Sequence, residues 1–227
     1  KEATAEQRNI DICNSGVYII DNSIVEEVLS KITNTNASNE FYLTDAVKIA
    51  NKLGYQCVYH VASEKEVMGV NDRYQLSIAE KYIQRRLRVQ HLKAGVTMVD
   101  PNTVFLSLDT KIGRDVVIHP NVVIGSGVEI KNHAEIYPFT HIAGALIGEN
   151  CKVGPFARIR PKTELGKGSR IGNFVETKSV KIGKGSKASH LAYLGDGQIG
   201  ENTNIGAGTI FCNYDGYSKQ TTIIGSD

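Results

Sequence analysis

The sequence has 227 residues and contains no apolar run long enough to span a membrane or serve as a signal segment. Its four cysteines, at positions 13, 57, 151 and 212, have no spacing typical of metal sites. Net charge is also low, at +2, which argues against a general nucleic-acid binder. We therefore expect a reduced, cytoplasmic protein with neither a nucleic-acid nor a membrane partner.

Glycine is scarce in the first half of the chain and abundant in the second. Only four of the 22 glycines precede Gly113. The apolar content of 41% is enough for a hydrophobic core. Such a shift in composition indicates that the chain consists of two different parts.

The second part repeats an aliphatic residue every six positions. The repeat begins at Ile112, slips by one residue before Ile147, and slips again before Ile199. Its members are Ile112, Ile118, Ile124, Ile130, Ile136, Ile142, Ile147, Val153, Ile159, Leu165, Ile171, Ile199, Ile205 and Phe211. An amphipathic helix would repeat at 3.6 residues and a half-buried strand at two, so neither explains this pattern. The period of six predicts a parallel β-helix, in which stacked coils bury a continuous aliphatic column.

The first part has the pattern of an α/β fold. Residues 17–20 and 57–61 are predicted strands, and a helix through residues 46–50 should end at Gly54. These elements are too few for a doubly wound sheet, so we expect a remnant of a larger α/β domain whose N-terminal part is missing. Residues 72–94 are predicted to form a connecting helix that ends at Gly95.

Positive charge is concentrated between Cys151 and His190. This stretch contains ten Lys or Arg residues and only two acidic residues, Glu164 and Glu176, which gives a local charge of +8. Such a stretch favours an anionic ligand, although exposed Lys and Arg can equally serve to keep the coils soluble. Arg158 and Arg160 alternate outward on one predicted strand, so their guanidinium groups are candidates for binding a phosphate, with Lys178 one coil later.

Two interruptions of the repeat are further candidates for function. His190 breaks a hexad at the end of the basic stretch, three residues before Tyr193. A lone histidine is more often structural, but here it adjoins a candidate anion site. Residues 212–220 overrun a hexad, and Asp215-Gly216 is typical of a turn, so this segment is predicted to leave the coil as a loop.

These interruptions occur in an order that resembles a known bacterial family. The motifs are Gly154-Pro155-Phe156-Ala157-Arg158-Ile159-Arg160-Pro161, Gly172-Asn173-Phe174-Val175-Glu176-Thr177-Lys178, His190-Leu191-Ala192-Tyr193-Leu194-Gly195-Asp196, Asn204-Ile205-Gly206-Ala207-Gly208-Thr209-Ile210 and Cys212-Asn213-Tyr214-Asp215-Gly216. In the first half they are Asn14-Ser15-Gly16, Glu40-Phe41-Tyr42-Leu43-Thr44-Asp45 and Gly69-Val70-Asn71-Asp72-Arg73. Together they resemble the bifunctional N-acetylglucosamine-1-phosphate uridylyltransferase / glucosamine-1-phosphate N-acetyltransferase family.

The resemblance implies a left-handed β-helix that assembles as a homotrimer with active sites between subunits. It implies that His190 is the general base for acetyl transfer from acetyl-CoA to glucosamine 1-phosphate, and that Glu176 orients or tunes it. The other implied contacts are Arg160, Lys178, Tyr193 and Lys219 to the sugar phosphate, Asn204 and Asn213 to the sugar and reacting centre, and Ala207, Asn213 and Tyr214 to acetyl-CoA.

The resemblance also implies a second activity in the first part. Asn14 would contact the nucleotide sugar and Asn71 would bind Mg²⁺, in a reaction that converts UTP and N-acetylglucosamine 1-phosphate to UDP-N-acetylglucosamine for cell-wall biogenesis. The implied division is a uridylyltransferase remnant at 1–71, a linker helix at 72–94 and an acetyltransferase β-helix at 95–227.

The sequence departs from the family at both ends. The Gly-rich nucleotide loop is absent, and the family continues beyond Asp227 with coils that complete the acetyl-CoA site. We therefore expect an internal fragment that lacks uridylyl transfer and has little or no acetyl transfer of its own. The residues that select the acyl donor would lie outside it.

Three alternatives remain open. A hexapeptide carbonic anhydrase would need three zinc-binding histidines, two of them close in sequence, and the chain offers no such pair. A non-catalytic β-helix scaffold would have no reason to interrupt the repeat at His190, Asn213 and Lys219. Another sugar or amino-acid acyltransferase with this fold is the third alternative.

Overall fold

The computed structural model describes residues 6–227. They divide into two compact units, with the boundary between Glu80 and Lys81. The boundary falls inside a long helix, eight residues after the start of the predicted linker. The helices are α1 (Val25–Leu29), α2 (Asp45–Lys52) and α3 (Arg73–Lys93), with short 3₁₀ turns at Gln7–Asn9 and Pro101–Thr103.

The first unit is held by a small core between α1 and α2. Val28, Ala46 and Ala50 are buried there, and Tyr55 packs against them while its hydroxyl donates to Glu27 Oε2 at 2.8 Å. Helix α2 ends before Gly54, whose φ of +85° is the left-handed conformation that commonly terminates helices. The stop at Gly54 is therefore confirmed.

The two predicted strands of the first unit are wrong. Residues 17–20 and 57–61 form no β-ladder, and no strand occurs anywhere in residues 6–96. Ile19 is fully exposed and Val58 is 84% exposed. A strand requires a neighbouring strand for its backbone hydrogen bonds, and these segments have none, so the α/β character is not shown.

The second unit is a parallel β-helix, which confirms the interpretation of the six-residue period. The early coils contribute three short strands each, and each strand from β1 to β10 pairs in parallel with the strand three further along the chain. The strands are β1 (Thr97–Met98), β2 (Phe105–Leu106), β3 (Lys111–Ile112), β4 (Val117–Ile118), β5 (Val123–Ile124), β6 (Glu129–Ile130), β7 (Glu135–Ile136), β8 (His141–Ile142), β9 (Leu146–Ile147), β10 (Lys152–Val153), β11 (Arg158–Ile159), β12 (Glu164–Leu165), β13 (Arg170–Ile182), β14 (Lys187–Ile199), β15 (Asn204–Ile205) and β16 (Thr222–Ile224).

The aliphatic residues of the repeat form three inward columns. One column runs Ile118, Ile136, Val153, Ile171, Ala188 and Ile205, each in register with the next. All six are buried. Stacking at strand spacing, about 4.8 Å per coil, makes one continuous core from side chains that no single coil could bury.

Strands β13 and β14 are much longer than the others because each follows all three faces of one coil. β13 pairs with β10, β11 and β12 in turn, and β14 pairs with β13 along its length. The corners within them are made by residues with positive φ, such as Phe174 at +57° and Leu191 at +44°. The site residues predicted from sequence lie on and around these two strands.

Helix α3 covers the open edge of the first coil. The side-chain amide of Gln84 donates to the carbonyl of Leu106 at 2.7 Å and accepts from its N–H at 2.9 Å. Arg88 Nε donates to the carbonyl of Val104 at 2.8 Å. These contacts satisfy backbone groups of strand β2 that would otherwise lie at an unpaired sheet edge.

Candidate functional site

The predicted sugar-phosphate residues lie on one face of three successive coils. Arg158 of β11 is in register with Glu176 of β13, which is in register with Tyr193 of β14. Lys178 follows on the same strand as Glu176, in register with Gly195. The residues that sequence reasoning placed at an anion site are therefore neighbours along the solenoid.

The cations on this face are already paired with carboxylates. Arg160 Nη1 lies 2.8 Å from Glu176 Oε1, and Arg158 Nη1 lies 3.4 Å from the other oxygen of the same carboxylate. Lys178 Nζ lies 4.0 Å from Asp196 Oδ2. In the isolated chain, much of the positive charge of this face is thus compensated.

The loop at residues 212–220 leaves the coil as predicted and folds back on this face. Asn213 Nδ2 donates to Asp196 Oδ2 at 2.5 Å and lies 3.5 Å from the Tyr193 hydroxyl. The loop is closed by Asp215, whose Oδ1 accepts from the N–H groups of Tyr217 and Ser218, and these bonds lower the pKa of the carboxyl group. The result is a connected set of polar side chains from three coils.

Asp196 is a member of this set that sequence reasoning missed. Its carboxylate joins Asn213 to Lys178, and its backbone has a positive φ of +49° at a coil corner. The spacing of the two residues could have predicted this contact, because Asp196 and Asn213 are 17 residues apart, which is the length of one coil. A non-glycine residue in this conformation is uncommon, although Asp tolerates it better than most residues.

His190 lies at the corner that precedes this face and is exposed to solvent. Its Nδ1 lies 2.8 Å from Oδ1 of Asn173, the residue in register on the preceding coil. An amide oxygen only accepts hydrogen bonds, so a neutral His190 in this contact carries its proton on Nδ1 and leaves Nε2 as the acceptor. This is the tautomer that a general base working through Nε2 requires.

In this chain the side-chain partner of the His190 ring is Asn173 and not Glu176. The Glu176 carboxylate contacts Arg158 and Arg160 and has no contact with the imidazole. The reason is geometric: Asn173 is directly beside His190 across the ladder, whereas Glu176 is three residues further along the strand. Asn173 belongs to one of the family motifs, but the sequence analysis predicted no function for it.

A groove of about 270 Å³ lies beside His190. Its lining residues are Tyr137, Lys152, Gly154, Pro155, Arg170, Gly172, Asn173, Ser189 and His190. At its Tyr137 end, the Glu135 carboxylate accepts from the Tyr137 hydroxyl at 2.8 Å and lies 3.3 Å from Lys152 Nζ. Hydrogen bonding to Glu135 is the main reason that the pKa of Lys152 is raised, so this lysine is firmly cationic.

Among the described residues, His190 has no side-chain hydrogen bond or ion pair with the sugar-phosphate residues, and its side-chain partner is Asn173. The pair Asn173 and His190 and the pair Lys178 and Gly195 are five register positions apart on the same two strands. The corner at Phe174 and Leu191 lies between the two pairs, so they belong to different faces of the coil.

The remaining predicted residues of this unit lie on later coils. Asn204 of β15 is exposed and in register with Lys187, and Ala207 is exposed in the next turn. Tyr214 and Lys219 pair across the loop in an isolated antiparallel bridge, with both side chains exposed. Among the described residues, none of these four has a side-chain hydrogen bond or ion pair with His190.

Asn14 and Asn71 belong to the first unit. Asn14 Nδ2 donates to the Tyr18 hydroxyl at 2.7 Å, and the backbone N–H of Asn71 donates to Gln75 Oε1 at 2.6 Å as helix α3 begins. In residues 6–227 no three His, Cys, Asp or Glu side chains converge on a common point. Asn71 alone offers one amide oxygen, so the residues present do not form a Mg²⁺ site, nor do the histidines form a zinc site.

Within the part of the chain that the structure describes, no helix has both the length and the apolar character needed to cross a bilayer.

Comparison with known proteins supports the resemblance drawn from the ordered motifs. The family model for bacterial transferase hexapeptide repeats (six repeats) matches residues 109–144 and 144–178. A bifunctional GlmU protein from Azorhizobium caulinodans is 50% identical over 226 residues, which cover 100% of this chain and 50% of that protein. The GlmU protein of Zymomonas mobilis is 48% identical over 225 residues, covering 99% of this chain and 50% of the relative.

Among solved structures, a hexapeptide transferase family protein from Anaplasma phagocytophilum aligns with 52% of this chain and 75% of its own at 15% identity. Its TM-score is 0.45, too distant a likeness to bear on function. The chain spans about half the length of the curated relatives it matches. Over that half it is similar to the bifunctional GlmU proteins.

Proposed function

We propose that this chain carries acetyltransferase machinery that moves the acetyl group of acetyl-CoA to the amine of glucosamine 1-phosphate. The observation that carries the proposal is the 50% identity to a bifunctional GlmU protein across the whole chain. The geometry of His190 is consistent with it, because the contact with Asn173 leaves one ring nitrogen free to accept a proton.

In the proposed reaction, His190 Nε2 removes a proton from the ammonium group of the sugar. The amine nitrogen then forms a bond to the thioester carbonyl carbon and the C–S bond breaks. The nitrogen loses its second proton to solvent, and the protonated His190 gives its proton to the departing sulfur, so coenzyme A leaves as the thiol. An ammonium ion has no lone pair with which to attack, so a base near the amine is required at neutral pH. Backbone groups near Ala207 and Tyr214 are proposed to face acetyl-CoA and the oxyanion that forms.

We propose that Arg160, Lys178, Tyr193 and Lys219 bind the sugar phosphate, with Glu176 holding Arg160 in place at 2.8 Å. Asn204 and Asn213 would contact the sugar and the reacting centre. Because His190 and Arg160 lie on different faces of one solenoid, the complete site would form between copies. A homotrimer of left-handed solenoids is the assembly we propose, and it accounts for the separation of these groups.

The second proposed activity belongs to a longer protein. It would convert UTP and N-acetylglucosamine 1-phosphate to UDP-N-acetylglucosamine and pyrophosphate in the cytoplasm. Residues 1–71 would be a remnant of its Rossmann-like domain, with Asn14 near the nucleotide sugar, 72–94 the linker helix and 95–227 the acetyltransferase part. Mg²⁺ at Asn71 would require ligands that the described residues do not supply.

The test of acetyl transfer is the release of free thiol from acetyl-CoA by the full-length protein. We expect thiol release that depends on glucosamine 1-phosphate and is lost in His190→Ala. Release with a different amino sugar or an amino acid, and none with glucosamine 1-phosphate, would indicate another hexapeptide acyltransferase. No release with any acceptor, together with no binding of glucosamine 1-phosphate, would indicate a scaffold.

A further inference from the structure

Two glycines, Gly154 and Gly172, line the groove beside His190. Across successive coils the N–H of Tyr137 donates to the carbonyl of Val153, and that of Gly154 donates to the carbonyl of Ile171, so the coils stack directly here. A Cβ on Gly172 would lie 1.9 Å from the carbonyl oxygen of Ser189. No side chain fits between the coils at Gly172, so the backbones approach closely beside the groove.

The groove is lined by two pairs of polar side chains. Lys152 and Arg170 are in register on adjacent coils and form one pair. Asn173, on the same strand as Arg170, is in register with His190 on the following coil, and these two form the other pair. The groove therefore has a cationic side and a side that ends in the proposed base.

Charge distinguishes this groove from the face that carries Arg160 and Lys178. On that face Glu176 and Asp196 lie against the cations, whereas no Asp or Glu lines the groove. Lys152 is paired with Glu135 at 3.3 Å, as the cations of the other face are paired with their carboxylates. Arg170 differs, because it has no ion pair within residues 6–227. An anion entering the groove would thus meet the uncompensated charge of Arg170 beside that of Lys152.

The spacing of these groups selects the class of anion. Lys152 and Arg170 are one coil apart, about 5 Å, and the groove extends over three coil steps from Tyr137 to Ser189, about 14 Å. A phosphate or diphosphate presents several oxygens over such a distance, and a guanidinium fork can bind two of them at once. A single carboxylate is too small to engage both cations and also extend to His190.

We propose that this groove binds a phosphate or diphosphate group of a substrate through Arg170 and Lys152 and so holds that substrate's reacting end at His190. The placing of the reacting end at His190 rests on the proposed acetyl transfer, whereas phosphate binding by Arg170 and Lys152 does not. Arg170 is assigned as a binding residue that adds to the set around Arg160.

Binding is tested with inorganic pyrophosphate as the probe, by isothermal titration calorimetry of the 227-residue chain at low salt. We expect Arg170→Gln and Lys152→Gln each to weaken pyrophosphate binding roughly 10- to 100-fold, the effect of losing a hydrogen bond to a charged group. Lys184→Gln is the matched control, because it removes a cation from the same basic stretch but outside the groove, and it should bind as the unsubstituted chain does.

Circular dichroism and thermal unfolding of each variant separate lost binding from lost structure. A second substitution, Arg170→Lys, keeps the charge but not the fork and should fall between Arg170→Gln and the original chain. Equal losses in Arg170→Gln and Lys184→Gln, or no pyrophosphate binding by the original chain, would overturn the proposal.

The source of the phosphate is identified with the full-length protein. If the group belongs to coenzyme A, Arg170→Gln should raise KM for acetyl-CoA about tenfold or more and leave KM for S-acetylpantetheine, which has no diphosphate, unchanged. If it belongs to the sugar, KM should rise for glucosamine 1-phosphate and not for glucosamine. Normal values for all four substrates, in an enzyme that His190→Ala inactivates, would refute the groove proposal and leave the acetyl-transfer proposal standing.

Discussion

At the scale of single residues, the chemistry proposed here depends on which atoms contact the two nitrogens of His190. The Asn173 amide oxygen accepts a hydrogen bond from Nδ1 at 2.8 Å, so the basic lone pair of the neutral ring is on Nε2. Sequence reasoning identified His190 because it interrupts a monotonous repeat. It did not identify Asn173 or Asp196 as partners, because those contacts are between residues 17 positions apart and depend on knowing the length of each coil.

Replacement of His190 by Ala in the full-length protein should lower kcat for acetyl transfer by roughly 10²- to 10⁴-fold, the usual contribution of a general base. Uridylyl transfer should be unaffected, since that activity is proposed for the other part of the protein. The two rates, measured as thiol and pyrophosphate release, are the assay. Near-normal acetyl transfer in this variant would remove His190 from the mechanism.

Asn173 is a positioning residue, and its effect should appear in kcat rather than KM. Asn173→Leu removes the acceptor at Nδ1, and we expect kcat to fall about tenfold or more, because loss of the group that fixes a catalytic tautomer is costly. Asn173→Asp keeps an oxygen acceptor and should retain most of kcat. Equal effects of the two substitutions would mean that Asn173 serves only the fold of the corner.

At the scale of elements, the repeat predicted most of the solenoid, and its failures have physical causes. The register was lost between Ile171 and Ile199 because two inward positions there are Thr177 and Ala188, which are buried but not large aliphatics. Thr177 keeps its hydroxyl satisfied by Thr163 Oγ1 at 3.1 Å. Strands of the first unit were overpredicted because local pattern cannot supply the neighbouring strand that a ladder requires.

Helix α3 stabilises the first coil through Gln84, whose side chain makes the two hydrogen bonds to Leu106 that a neighbouring strand would otherwise make. Gln84→Leu would leave the N–H and carbonyl of Leu106, which is buried, without their partners. Unsatisfied buried polar groups cost about 1–3 kcal/mol each, so we expect the free energy of unfolding to fall by about 2–4 kcal/mol. Urea denaturation followed by circular dichroism measures this. Gln90→Leu, on the exposed side of the same helix, is the control and should change stability by less than about 0.5 kcal/mol.

The same helix gives the second unit a pH dependence. Burial lowers the pKa of His91 below its ordinary value, so the unfolded chain binds a proton more readily than the folded one. Stability should be greatest above the ordinary histidine pKa of about 6.5 and should fall as pH drops from there through the folded-state pKa. His91→Gln should flatten this part of a plot of unfolding free energy against pH. An unchanged slope would show that other groups cause it.

At the scale of the whole molecule, one corner of the solenoid carries a continuous line of exposed apolar side chains. Phe139, Phe156 and Phe174 stack on successive coils with ring centroids 4.9 and 5.4 Å apart, and Leu191 continues the line. All four are about half exposed. Contiguous exposed apolar surface of this kind is typical of an interface. It also adjoins Asn173, and the site is incomplete in one chain, so a second copy is the expected occupant.

We therefore expect the chain to sediment as a trimer at micromolar concentration. Phe156→Ser should shift the equilibrium towards monomer, because it removes the middle ring of the stack and places a hydroxyl in the contact. Phe41→Ser, which changes an exposed ring in the first unit, is the control and should leave the sedimentation coefficient of the trimer unchanged. A monomer at all concentrations would contradict both the interface and the sharing of His190 and Arg160 between copies. A trimer insensitive to Phe156→Ser would place the interface on another face of the solenoid.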